Sequence, residues 1–466
     1  MLGYEKQPLV CKEQRGYKAV ELSVLQDESI NCEVADGVVQ VGMGVSRVVV
    51  EGNNLSVGEY VPVPDSVFMF WQKTDTGAYT SQLGYVSKEG VMYMYETSKG
   101  AFVSRHMFGE RVKPLTAMDR EKTPHLLFVG TKSVYAYTAA GVVKPTIEKA
   151  DGETFAGAGC VCKNRVFLVV QPFTLIYSAP LAPRDFTVTA DDGGRICFPS
   201  DKGKMVAVCP FGEGLALFYE YGIAKLKIEG SARNFAWTYT PYGGGKIFGD
   251  SVGVCGVGGE KVFFLAEDGL YVLDKSGARK VCRELPIFPK TNGQVCNHAE
   301  SNGKYYLTYK DDDGNACGVA VDAERESGYR TFAPTGLSLC EGKAFCMTAD
   351  KALCTIGGGA LPNGVFADFT LIPTDFGLQG RKTVQKLCVY GEGTATLKVS
   401  DGIRVKTFTI DFANGAAEAT VRLCGERFFL SGTLQGNARI KGIRAEVSSL
   451  RSVSTKCERG RRTYGD

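Results

Sequence analysis

Val262-Phe263-Phe264-Leu265, Ala266-Glu267-Asp268-Gly269 and Leu270-Tyr271-Val272-Leu273 read as two apolar strands joined by a tight polar turn. Looser copies begin near Leu83, Leu126, Val166, Leu215, Tyr305 and Ala344. The six steps from Leu83 to Ala344 average about 43 residues, within the roughly 40–50 that one four-stranded propeller blade requires. A blade of this kind cannot bury both of its faces alone, so blades must stack around an axis. The expected fold is all-β: a β-propeller of about seven blades, with six or eight left open should one hairpin be miscounted, followed by a C-terminal β-sandwich.

The totals agree with that expectation. A chain of 466 residues accommodates two or three domains, or one repeat assembly with an appendage. Glycine, 57 residues or about 12%, exceeds the ~7% of ordinary proteins, as many tight turns with positive φ demand. The net charge of +3 gives no argument for a nucleic-acid binder and leaves a local basic patch open. Sixteen cysteines could form a disulfide framework, but most stand singly inside apolar strand patterns, as at Cys209, Cys255, Cys346, Cys354, Cys388 and Cys424. Only Cys160 and Cys162 are close, there is no CxxC pair, and Met1-Leu2-Gly3-Tyr4-Glu5 opens no signal-peptide apolar region. Free buried thiols in a protein made in a reducing cytosol are expected. No apolar run approaches the length of a membrane span.

Composition divides the chain into four parts. Residues 1–60 carry strand-like pieces at 19–25, 37–41 and 47–50, and form either an arm or a closing strand for the last blade. Residues 61–360 hold the hairpins, with period-2 alternation as in Ile223-Ala224-Lys225-Leu226-Lys227-Ile228 and one short helical candidate at 115–122. Residues 361–450 hold eight or so short strands, among them 366–372, 382–390, 394–400, 405–412, 419–424, 427–431 and 438–447, the pattern of a β-sandwich. Residues 451–466 form a basic tail with Arg451, Lys456, Arg459, Arg461 and Arg462, a solvated terminus that is also the candidate partner or DNA contact.

No motif commits the chain to catalysis, a metal or a cofactor. The three histidines, His106, His125 and His298, lack the spacing of a zinc site, and Cys296-Asn297-His298 does not supply it. Asp311-Asp312-Asp313-Gly314-Asn315 departs from the alternating ligands of a calcium loop and is expected to be a hairpin turn. Gly243-Gly244-Gly245-Lys246 and Gly357-Gly358-Gly359 precede no helix, so they read as loops and not phosphate cradles. No GxSxG is present, and no carboxylate pair can be chosen without knowing separations in space.

A resemblance enters over about residues 165–275. Tyr177-Ser178, then Pro183-Arg184-Asp185-Phe186, Leu215-Ala216-Leu217-Phe218-Tyr219, Leu226-Lys227-Ile228-Glu229-Gly230, Gly249-Asp250-Ser251-Val252 and Asp268-Gly269-Leu270-Tyr271 follow one another. This succession resembles the β-propeller proteins of short-tailed bacteriophage tails, a group of tail-accessory, nozzle, hub and packaged-DNA stabilisation proteins. The resemblance implies a non-enzymatic virion protein made in the host cytoplasm. It also implies a homo-oligomeric ring, a hexamer, that contacts other tail or portal-adaptor proteins and extends the DNA channel, retaining DNA until ejection. Two other functions stay open. One is a tail host-recognition protein binding glycan or receptor through aromatic loop side chains, with Phe428 and Phe429 expected in a core strand; the other is a propeller glycosidase with acids at the channel mouth.

Overall fold

The computed structural model describes residues 12–451, apart from 23–24, 27, 59–60, 75, 190–192, 230–233, 257–258, 286, 288, 291–295, 358–360 and 363. It separates into two compact units, Gly42–Val365 and the pair of segments Met1–Val41 and Phe366–Asp466.

The first unit is a seven-bladed β-propeller. Seven antiparallel sheets of four strands follow one another along the chain, from Pro64–Lys73 in blade 1 to Leu353–Ile356 in blade 7. Each of the seven hairpins seen in the sequence is the second and third strand of one blade: Lys261–Ala266 and Gly269–Asp274 in blade 5, for example. The reason these strands read as unbroken apolar runs is that successive side chains leave opposite faces of a strand and both faces are covered. Phe263 and Leu265 enter the core shared with blade 6, while Val262 and Phe264 enter the core shared with blade 4. Seven such interblade cores exist, and the one joining blade 7 to blade 1 completes the circle.

The N-terminal part supplies a closing strand for the last blade. Val45–Arg47 is the fourth strand of blade 7, with Ile356 opposite Val45 and Cys354 opposite Arg47. Leu55 and Val57 then pack into the core between blades 7 and 1. Residues before 42 belong instead with the C-terminal unit. The helical candidate at 115–122 is not a helix: Lys113–Met118 is the first strand of blade 2. Pro114 cannot donate a ladder bond but is tolerated near a strand start, and Ala117 alternates inward. The aspartate-rich turn is a hairpin turn, with Asp311 accepting from the Asn315 amide at 2.8 Å and Gly314 at φ 86°.

The second unit, where a β-sandwich was expected, is an eight-stranded antiparallel sheet. The segments read as separate strands at 382–390 and 394–400 are one strand, Lys382–Ser400, and those from 427 to 447 fall largely within Phe429–Arg451. The two long strands pair along most of their length and bend together at register shifts around Gly391 and Gly393. At Gly393 φ is 78° and a Cβ would come within 2.9 Å of the Ala438 Cα, so only glycine fits this corner. The bend brings the ends of Lys382–Ser400 near one another, since Gly425, paired with Lys382, lies against Asp401. Val384, Leu387, Val389, Leu397 and Val399 are buried on the inner side. Phe428 is buried as expected; Phe429 is 42% exposed, because consecutive strand residues face opposite ways.

All fourteen cysteines of the described residues are free thiols, nine of them buried. No helix among the described residues is long and apolar enough to cross a membrane.

Candidate functional site in the propeller channel

The first strands of all seven blades surround a central cavity of ≈ 440 Å³. Its polar groups come from where these strands begin. Asp65 opens blade 1, Arg111 and Lys113 enter blade 2, Asp250 precedes the first strand of blade 5, and Asn297, His298 and Glu300 lie on the first strand of blade 6.

Arg111 ties four blades together. Its Nε and one terminal nitrogen donate to the two oxygens of Asp65, at 2.6 and 3.1 Å. The other terminal nitrogen donates to Asp250 at 2.5 Å, and Asn297 Oδ1 accepts a further bond at 3.1 Å. Lys113 Nζ donates to the second Asp250 oxygen at 2.6 Å. Since blade 2 lies across the ring from blades 5 and 6, the guanidinium spans the axis. Planar guanidinium geometry suits this bridging role, which a lysine could not reproduce. Burial alone would raise Asp250, but the Lys113 and Arg111 charges prevail and hold it well below the usual carboxylate range. Opposed by burial, the Asp250 and Asp65 charges and bonds still raise Arg111 further.

Beyond this network lies a second pair, His298 and Glu300. His298 Nδ1 stands 2.8 Å from the Asp250 carbonyl oxygen, an acceptor only, which assigns the ring proton to Nδ1. Nε2 therefore carries a lone pair, and it faces Glu300 Oε1 at 3.4 Å. Burial pushes His298 down to about 4, with Lys113 adding and the Asp250 carbonyl opposing. Burial pushes Glu300 up to about 8. Glu300 is only 8% exposed, and neither carboxyl oxygen has a hydrogen-bond partner. A Cβ at Gly253 would collide with Glu300 Oε1, so glycine there makes room for the carboxyl.

Of the three histidines, His298 is the one that joins this site, where the sequence suggested only a structural role. His125 bonds Asp119 at 2.9 Å and His106 meets Phe108 edge to face. Of the basic tail, Lys456, Arg459, Arg461 and Arg462 lie outside the described residues, and so does the side chain of Arg451; its backbone pairs with Lys12. Sequence reading missed Asp65, Arg111, Lys113, Asp250, Asn297 and Glu300. One trace was available: Asp-Ser-Val occurs at 65–67 and again at 250–252, placing the two aspartates that share Arg111.

The residues that carry the phage-tail resemblance do structural work. Ser178 Oγ accepts from the Val166 amide at 3.0 Å, Arg165 donates to the Ser178 carbonyl at 2.9 Å, and Phe186 fills the core between blades 2 and 3.

No protein-family model matches the sequence, and no curated protein sequence does. Among solved structures, the chain is similar to U3-55K (8% identity, TM-score 0.42, covering 65% of this chain and 98% of that one). It is similar to the RRP9 WD40 repeats (8%, 0.42, 67% and 99%) and to BBS1N from its complex with ARL6DN (11%, 0.42, 66% and 95%).

Two variants test the site. Arg111→Met leaves Asp65, whose side chain is fully buried, without its counter-charge, and is expected to cost about 3–5 kcal/mol in urea unfolding; a loss within the range of surface substitutions contradicts the bridging role. Glu300→Gln tests the neutral carboxyl. A raised folded pKa gives stability that is lost as pH climbs from the unfolded value near 4.5 through about 8. The lowered His298 works oppositely between about 4 and 6.5, so the net fall lies between pH 6.5 and 8. The wild type should lose about 2 kcal/mol over that interval and Glu300→Gln should not. Parallel pH profiles for the two proteins would show that Glu300 is ionised throughout.

Proposed function

We propose that the protein is a non-enzymatic structural component of a phage tail. It assembles as a ring of about six copies that extends the DNA channel and holds packaged DNA until ejection. The observation that supports this most is the internal use of charge: Arg111, Lys113, Asp65 and Asp250 neutralise one another across the axis. A cavity so bridged serves to stiffen the propeller, and DNA would pass through the lumen of the oligomer, outside the propeller. Seven interblade cores give the rigid body that such a ring needs, and the turns at the blade ends offer surfaces to neighbouring copies and adaptor proteins. The resemblance over residues 165–275 supplies the tail context.

The same charge pairing disfavours the glycosidase. Glycoside hydrolysis takes two carboxyl groups in complementary roles, and of the channel carboxyls Asp65 and Asp250 are both committed to Arg111, leaving Glu300. Host recognition is favoured by a different feature. A cleft of ≈ 990 Å³ at one end of the C-terminal sheet is lined by Arg381, Arg427, Ile403 and Phe429, with Ile403 93% exposed. An aromatic beside cations and the carboxyl groups of Asp375, Asp401 and Glu426 suits a polar glycan.

Light scattering combined with negative-stain microscopy of the full chain separates these readings. The tail-ring proposal expects closed rings of several copies. A protein that stays monomeric at every concentration and binds glycan through Phe429 contradicts the ring and supports recognition.

A further inference from the structure

Glu300 raises a question that neither ring assembly nor the Arg111 bridge answers. A carboxyl group buried without hydrogen bonds costs stability and is seldom retained without a partner. His298 faces it from its own strand, Tyr305 and Gly253 pack beside it, the Cys209 and Cys255 thiols of blades 4 and 5 feel its charge, and its own backbone amide lowers its pKa slightly against burial. No side chain among these donates to it. The cations of the channel, Lys113 and Arg111, are engaged by Asp250 and Asp65. Once the carboxyl gives up its proton, Glu300 and the lone pair of His298 Nε2 are therefore two adjacent acceptors, 3.4 Å apart, on the wall of the channel cavity of ≈ 440 Å³. The channel wall also carries apolar side chains, among them Leu115, Val208, Val254 and Leu337.

We propose that this channel cavity is a binding site for a small organic cation, a primary ammonium carried on an apolar body, with Glu300 and His298 receiving the charged head. The volume lies within the range of small-molecule pockets. An ammonium supplies several donors, answering both free acceptors, and its charge replaces the missing counter-ion of a carboxylate. In the empty protein the carboxyl holds its proton, so at neutral pH or below binding proceeds with transfer of that proton to solvent: the O–H of Glu300 breaks, the carboxylate pairs with the ammonium, and buffer accepts the proton. The inference stands apart from the tail reading, since a ring protein or a monomer could carry the site.

The test uses isothermal titration of the full chain with benzylammonium, and with benzyl alcohol as a neutral probe of nearly the same shape. Benzylammonium should bind one-to-one at pH 8 and release close to one proton per ligand at pH 6.5, read from the dependence of the heat on the buffer. Its apparent affinity should fall about tenfold per pH unit below 8. Benzyl alcohol should not bind measurably, and Glu300→Gln, which keeps the side-chain shape, should weaken benzylammonium at least tenfold while remaining folded by circular dichroism. Absence of binding by benzylammonium overturns the proposal. Equal binding of the alcohol, or equal binding by the variant, also overturns it, because the site would then be an apolar void filled without regard to charge. Should Glu300→Gln not fold, proton release and the alcohol comparison on the wild type still decide.

Discussion

Closure of the ring is the constraint on which the rest depends. A four-stranded blade with both faces apolar is insoluble as a unit, and it becomes stable only when each face meets a neighbour. Seven blades therefore need seven interfaces, and the last joins parts of the chain about 300 residues apart. The strand Val45–Arg47 fastens the ring: blade 7 is built from the two ends of the propeller segment, so those ends cannot part without losing its ladder bonds to Cys354, Thr355 and Ile356. The buried Leu55 and Val57 then seal the same junction with apolar area.

Inside the closed ring, first strands must approach one another near the axis, and the physical problem changes from burying apolar faces to neutralising charge. Arg111 addresses it by joining blade 2 to blades 1, 5 and 6. A buried ion network is weak evidence for stability by itself, because desolvation offsets most of the attraction. Its value lies in geometry, as a planar fork with four acceptors around it tolerates little change in the relative placement of the blades that supply them. Glu300 and His298 sit just beyond, each pushed by burial towards its uncharged form, and are the part of the channel that this bridging leaves over.

What could be read from the sequence follows from the same physics. Second and third strands were legible because each feeds two cores, turning Val262-Phe263-Phe264-Leu265 into an apolar run with a turn after it. First strands were harder, since near the axis small and polar residues replace bulky ones, as in Ala156-Gly157-Ala158-Gly159. The short outer strand Val45–Arg47 carries no local mark of a partner at 353–356, so arm and closing strand could not be told apart. At the corner of the second unit, Gly391 and Gly393 look like strand ends and are bends within one strand. The site was the least legible. Asp65, Arg111, Asp250 and Asn297 are scattered along the chain, and only closure brings them together.

Hydrogen exchange followed by mass spectrometry on the full chain tests ring closure most directly. If the N-terminal strand is an integral part of blade 7, peptides spanning 45–47 and 353–356 should exchange with the same protection as the third strand of blade 5, Gly269–Asp274, all opening together in global unfolding. Exchange of 45–47 and 353–356 through a local opening, well before blade 5, would contradict the account and describe an open array of blades with a loosely attached arm.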